Sequence, residues 1–229
     1  MYYPFLNDVP FLSAIGKAVC VGRNYAAHAA ELNNPVPERP LLFIKPADAI
    51  VAMEGDITIP VNAGAVHHEL EIALLIGRPL SFANHQQALA AIAGVGLALD
   101  LTLRDVQDGL KQKGHPWERA KAFDGACPVS RFVAAEQVND WADLNLSLLR
   151  NGTMQQQGSS AAMLFPVADL LVEISQHFTL NPGDLVLTGT PAGVGPLEPG
   201  DQLTATLQDW LSISCQAVAR QNAEEQGGK

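Results

Sequence analysis

The run Val66-His67-His68-Glu69-Leu70-Glu71-Ile72-Ala73-Leu74-Leu75-Ile76-Gly77 decides how this chain folds. Its residues alternate with a period of two, so a strand turns Leu70, Ile72 and Leu74 to one face and Glu69 and Glu71 to the other. The run reads as a half-buried strand with neighbouring carboxylates on one side. Two ionised carboxylates so placed repel each other, and an apolar setting raises the cost unless positive charge lies between them. A hard divalent cation is one solution, and oxygen-only ligands favour Mg²⁺, Mn²⁺ or Ca²⁺ over zinc. The rival reading is an edge strand whose glutamates face water, and the spacing alone does not separate the two.

Outward from this run, short strand candidates recur at Lys17 to Gly22, Leu41 to Ile44, Ile57 to Pro60, Val95 to Leu101, Asp184 to Thr188 and Gln202 to Leu207. Many short strands so close together specify a folded β structure. Asn151-Gly152, between Leu144 to Leu149 and Met154 to Gln157, is a hairpin signal. Helices are expected over Tyr25 to Leu32 with Asn24 as N-cap, and over Asn84 to Ala93, Asp105 to Lys113 and Val167 to Phe178. The fold class is therefore α+β, mostly β. One domain is expected over residues 17–219, behind a short N-terminal segment 1–16 and ahead of a polar tail, 220–229, expected to be disordered.

A chain of 229 residues with 48% hydrophobic and 17% charged residues can bury a sizeable core. Its 24 acidic against 14 basic residues give a net charge of -10, which repels phosphate backbones and anionic membrane surfaces. Neither nucleic acid nor a membrane is an expected partner. Cys20, Cys127 and Cys215 are odd in number and set among apolar neighbours, as reduced core thiols of a cytoplasmic protein would be. No basic cluster precedes an apolar stretch at the N-terminus, so no secretory signal is read there. The longest apolar runs fall short of the roughly 20 residues of a membrane span.

Other residues join the glutamates as candidates. Asp100 ends the apolar run Gly96-Leu97-Ala98-Leu99, and a neighbouring strand would bring it beside Glu69 and Glu71 as a third carboxylate. His67 shares their face, so a mixed histidine and carboxylate site for iron is also conceivable. His28 and Glu31 lie three apart on one helix face, where a carboxylate can orient an imidazole and raise its basicity; an exposed face with incidental charge is the plainer alternative. Lys121, flanked by Ala120 and Ala122 and then Phe123, reads as partly buried and in need of an anionic partner, such as a substrate carboxylate. Arg104 and Asp105 read as a structural ion pair. Thr188-Gly189-Thr190-Pro191-Ala192-Gly193-Val194-Gly195-Pro196 presents backbone amides and two hydroxyls that suit a small carboxylate, but lacks the lysine of a phosphate-binding loop.

In order along the chain, the motifs are Val21-Gly22-Arg23-Asn24-Tyr25 with His28 and Glu31, Leu42-Phe43-Ile44-Lys45-Pro46, His67-His68-Glu69-Leu70-Glu71, Asp100-Leu101-Thr102-Leu103-Arg104-Asp105-Val106-Gln107, Pro116-Trp117 through Lys121, and Thr188-Gly189-Thr190-Pro191 through Gly195-Pro196. This sequence resembles the fumarylacetoacetate hydrolase superfamily, and most of all its short acylpyruvate hydrolases, also described as oxaloacetate decarboxylases or tautomerases. The resemblance implies a mixed β-sandwich roll with a few peripheral helices, usually a homodimer. It implies that Glu69, Glu71 and Asp100 hold Mg²⁺ or Mn²⁺, with Ca²⁺ as a substitute. It further implies that His28 and Glu31 form a water-activating dyad, that Lys121 contacts the substrate, and that Arg23, Gln107 and Thr190 also bind it. The implied reaction is cleavage of acylpyruvates, which are 2,4-dioxo acids, to pyruvate and a carboxylic acid, with decarboxylation of oxaloacetate alongside. Keto–enol tautomerisation of oxaloacetate or isomerisation of a dienedioate on the same site is the alternative. An additional aspartate that longer members supply as a metal ligand has no match here.

Overall fold

The computed structural model describes residues 2–32 and 34–220. The strand Leu70–Ile76 is buried at every residue, which corrects the half-buried expectation. It lies inside an eight-stranded sheet. The order across the sheet is Leu41–Pro46, Lys17–Gly22, Leu185–Leu187, Leu70–Ile76, Ile92–Leu99, Cys127–Val129 and Ile50–Ala52, with Val133–Ala134 also pairing onto Ile92–Leu99. Both flanking strands are antiparallel to Leu70–Ile76, with Leu187 opposite Ala73 and Leu70 opposite Leu99. A strand so placed has no wet edge.

Alternation divides its side chains between two cores. Leu70, Ile72 and Leu74 join an apolar cluster with Leu146, Leu148, Leu203, Ala205 and Ile213. Those partners belong to a five-stranded sheet, ordered Thr153–Ser159, Asn145–Arg150, Gln202–Leu207, Leu211–Ala219 and Gly55–Ile59, which packs on this face as the second layer of a sandwich. Each such leucine or isoleucine contributes about 1.5–3 kcal/mol by leaving water. On the opposite face Ala73 and Leu75 pack with Cys20, Ala98, Cys127, Phe132 and Leu187. The three cysteines are free and buried, as expected.

The α+β, mostly β class holds. The expected hairpin forms between Asn145–Arg150 and Thr153–Ser159, and Asn151 and Gly152 take the positive φ values, 52° and 78°, that its tight turn demands. Helices form at Ala26–Glu31, His85–Ala90, Arg104–Gln112 and Val167–His177. The second is shorter than expected because Ile92 already belongs to the next strand. Asn24 does not cap the first helix: Tyr25 stands at the N-cap, while the Asn24 amide donates to the Thr188 and Phe165 carbonyls and accepts from Phe165 N. The long strand Leu211–Ala219 and the short helix Glu118–Lys121 were not among the expected elements. The tail from 221 onward lies outside the described residues. No helix among the described residues is long and apolar enough to cross a membrane.

Candidate active site

The acidic run is not one continuous strand. Val66–His68 pairs with Thr102–Leu103 and Gly195–Pro196 in a small separate sheet, and Glu69 occupies the break before Leu70–Ile76 begins. Across that break, Asp100 N donates to the Glu69 carbonyl at 2.8 Å, just beyond the Leu70–Leu99 pair. The register of two antiparallel strands thus sets Asp100 opposite Glu69, while alternation puts Glu71 on the face that carries Ala73 and Leu75. One oxygen from each of Glu69, Glu71 and Asp100 lies within 4.8 Å of the others, and all three residues are buried. The group contains no histidine among the described residues, so His67 does not complete the mixed site considered for iron.

Three cations answer the carboxylates. Lys121 Nζ donates to Glu69 Oε2 at 2.8 Å and to Asp100 Oδ2 at 2.5 Å. The anionic partner expected for Lys121 is therefore supplied by the protein itself. Arg104 pairs with the other oxygen of Glu69 and donates to Gln107 Oε1 at 2.7 Å. This corrects the expected Arg104–Asp105 pair, since Asp105 instead accepts from Ala65 N at 3.1 Å. Lys45, fully buried, donates to the carbonyls of Leu101, Lys121 and Ala126. Its Nζ also lies 2.8 Å from Asp100 Oδ1, but without the alignment of a hydrogen bond, so that oxygen is buried with no hydrogen-bond partner.

The charges are unevenly shared. Burial works against ionising Glu69, but Lys121 and Arg104 overcome it and hold its carboxyl far below the usual range. Burial likewise opposes the Lys121 ammonium, yet Asp100 and Glu69 raise its pKa. Glu71 has no cationic partner among the described residues, and burial, then Asp100 and Glu69, push its pKa well above the ordinary value. A buried glutamate without a cationic partner, beside two further carboxylates in an all-oxygen donor set, fits a divalent cation.

The dyad is also assembled. His28 is buried on its helix, with Nδ1 3.3 Å from Glu31 Oε2. A carboxylate at Nδ1 favours the proton there and leaves Nε2 as the nitrogen free to act. The glycine-rich turn, expected to seat a foreign carboxylate, holds the protein's own: Gly193 N donates to Glu31 Oε1 at 3.0 Å, and Gly189 N to Glu71 Oε2 at 2.7 Å. Both glycines have positive φ, 97° and 96°, and a Cβ at Gly193 would lie 1.9 Å from the Gln155 carbonyl oxygen. Only glycine serves there.

These groups meet at one pocket. His28, Lys121, Arg23, Gln107, Thr190 and the three carboxylates all line it, whereas Glu31 stands behind His28. Arg23 holds a left-handed backbone, φ 60°, of the kind that persists where surrounding structure imposes it. Lys111 also lines the pocket, its ammonium 5.6 Å from the Trp117 ring centre; burial, then Arg104, lower its pKa. The sequence pattern alone does not place Lys45 and Arg104 in this cluster. Lys45 reads as the polar end of a strand before Pro46, and only the fold shows its side chain crossing to Asp100.

The chain belongs to the fumarylacetoacetate hydrolase family: the family model described as fumarylacetoacetate (FAA) hydrolase C-terminal matches residues 17–218. It is accordingly an enzyme of that family. Among its relatives, the oxaloacetate tautomerase YcgM of Escherichia coli is 52% identical over 193 residues, covering 84% of this chain and 88% of the relative. A crystal structure of a candidate fumarylacetoacetate isomerase/hydrolase from Oleispira antarctica superposes with a TM-score of 0.92 at 57% identity, covering 95% of this chain and 100% of that one. The fumarylpyruvate hydrolase of Pseudomonas aeruginosa, crystallised with Mn²⁺ and pyruvate, superposes with a TM-score of 0.88 at 34% identity, covering 96% and 98%. That Mn²⁺-bound relative and the acidic triad here together suggest a divalent metal site.

Proposed function

We propose that this protein is a divalent-metal-dependent oxaloacetate keto–enol tautomerase. The observation that carries the reading is the meeting, in one pocket, of the Glu69, Glu71 and Asp100 cluster with the tethered imidazole of His28, beside the cationic side chains of Arg23 and Lys111. The identity with YcgM supports the choice of substrate.

Glu69, Glu71 and Asp100 would hold Mg²⁺ or Mn²⁺, which when bound supplies a Lewis acid for the 1-carboxylate and 2-oxo oxygen of the substrate. Oxaloacetate is a dianion, and Arg23 and Lys111 offer its far carboxylate two positive partners. His28 Nε2 takes a proton from C3 of the keto form and returns it to the C2 oxygen, giving the enol with no atom gained or lost; the reverse passage restores the ketone. Glu31, fixed by Gly193 N, keeps the imidazole in the tautomer that leaves Nε2 basic. Lys121 steadies Glu69 and Asp100 and limits the negative charge that the pocket presents to an anion.

A second reading, hydrolysis of an acylpyruvate, is favoured by the likeness to the fumarylpyruvate hydrolase. There His28 would deprotonate a water that attacks the C4 carbonyl. Product analysis decides. With Mg²⁺, accelerated loss of the enol absorbance of oxaloacetate, abolished by chelator and by His28→Ala and without pyruvate release, supports tautomerisation. Pyruvate release from acetylpyruvate with no enol conversion contradicts it.

A further inference from the structure

Between the two glutamates lies Leu70, and both of its backbone polar groups are tied to one buried side chain network. Leu70 N donates to Gln156 Oε1 at 3.0 Å, and Thr190 Oγ1 donates to the Leu70 carbonyl at 2.8 Å. Gln156 is 1% exposed, and its amide is used in full. Oε1 also meets His68 Nδ1 at 3.0 Å, while Nε2 donates to Thr190 Oγ1 at 2.7 Å and to the Pro191 carbonyl at 3.0 Å.

The sense of every bond in this ring is determined. A backbone N–H can only donate, so the Gln156 atom facing Leu70 N is the oxygen, and the Pro191 carbonyl independently requires nitrogen at the other end. His68 Nδ1 must then carry its proton. The Thr190 hydroxyl accepts from Nε2 and directs its hydrogen to the Leu70 carbonyl at 2.8 Å, with the Pro191 carbonyl a more distant acceptor at 3.4 Å. One lone pair remains, so any ligand that meets this hydroxyl must donate to it.

We propose that Gln156 is a positioning residue which pins the backbone between Glu69 and Glu71 and fixes the Thr190 hydroxyl as an acceptor, so that Thr190 recognises the enol hydroxyl of the substrate and not a carboxylate oxygen. This rests on the tautomerase and metal-site reading above. Removing the amide frees the Leu70 segment, and with it the spacing of two metal-holding carboxylates. Removing the Thr190 hydroxyl takes away the enol contact and the bond to the Leu70 carbonyl, but leaves Leu70 N held by Gln156 Oε1 and the Gln156 amide held by the Pro191 carbonyl.

The test measures Mn²⁺ dissociation constants by electron paramagnetic resonance, with KM for enol oxaloacetate, in wild type and four variants. Gln156→Met should weaken Mn²⁺ binding by roughly 10–100-fold, as loss of an orienting partner behind metal ligands does, and raise KM as well. Gln156→Glu, whose carboxyl still accepts from Leu70 N, should bind Mn²⁺ no more weakly than wild type. Thr190→Val should raise KM while leaving the Mn²⁺ constant within about threefold, below the usual range for an orienting partner, and Thr190→Ser should match wild type in both. Unchanged Mn²⁺ affinity in Gln156→Met overturns the pin, and equal losses in Thr190→Val and Thr190→Ser overturn the acceptor role. If Gln156→Met does not fold, a weakened Gln156→Glu overturns the pin in its place. A wild-type protein that binds no Mn²⁺ overturns the metal-site reading and this inference together. One that binds Mn²⁺ without tautomerising oxaloacetate overturns the substrate alone and leaves the pin to be judged by affinity.

Discussion

The two faces of the strand Leu70–Ile76 are equally buried and are built on opposite principles. One face sets Leu70, Ile72 and Leu74 against the leucines of the five-stranded sheet, and its stability is a sum of apolar contacts. The other continues from Ala73 and Leu75 to Glu71, where carboxylates, lysines and an arginine must balance. Interiors tolerate the second arrangement only when charges are answered, and here Glu71, alone of the three carboxylates, has no cationic partner among the described residues. Burial alone does not mark a core: the apolar face stabilises the fold, and the charged face gives up stability to build a site.

Neutralising the charged face should have the largest effect. Glu71→Gln should lower tautomerase activity by about 10²–10³-fold, the scale of losing one preorganised electrostatic group. The same variant should leave the metal-free protein as stable as wild type or more so, because it removes a carboxylate that burial and its neighbours already disfavour. A thermal melt read beside the kinetics checks both halves. On the other face, Ile72→Ala should cost about 2–5 kcal/mol of stability, while the protein that remains folded binds Mn²⁺ unchanged. Denaturant unfolding without metal, followed by Mn²⁺ titration, would expose any mixing of the two roles.

Acidity sharpens the contrast further. Glu71 keeps its proton to a higher pH than an unfolded glutamate, so a cation must displace that proton, and affinity should rise by up to about tenfold per pH unit until Glu71 is ionised. By the same linkage, the stability that this raised pKa contributes is present below the ordinary carboxylate pKa and is lost as pH rises through the folded value. Added metal should remove that decline. The smallest effect is expected at the pocket wall, where Lys111→Met should raise KM for oxaloacetate several-fold, about 1 kcal/mol for a partly solvated charge pair, with little change in kcat.

Much of this was legible in the sequence because it is local. The alternation around Leu70 and the Asn151-Gly152 turn specify strands and a hairpin through periodicity and backbone preference alone. The meeting of Glu69, Glu71, Asp100, His28 and Lys121 was reached through ordered motifs, since spacing by itself left a wet edge open. What escaped depends on partners far away in the chain. Nothing near Glu69 announces a break in the strand, because the pairing that ends there is made with Thr102 and Gly195. Gln156 sits in an alternating hairpin strand and reads as a solvated position until the fold brings it to Leu70 and Thr190. Arg104 stands next to Asp105 in sequence, but the helix that begins there turns the two side chains to different partners.

Mn²⁺ titration followed by electron paramagnetic resonance decides whether the three buried carboxylates form one divalent-cation site. Wild type should bind a single Mn²⁺ per chain and Asp100→Asn should lose that site, with its circular dichroism spectrum unchanged. Equal stoichiometry and affinity in the two folded proteins would show that these carboxylates do not hold the cation.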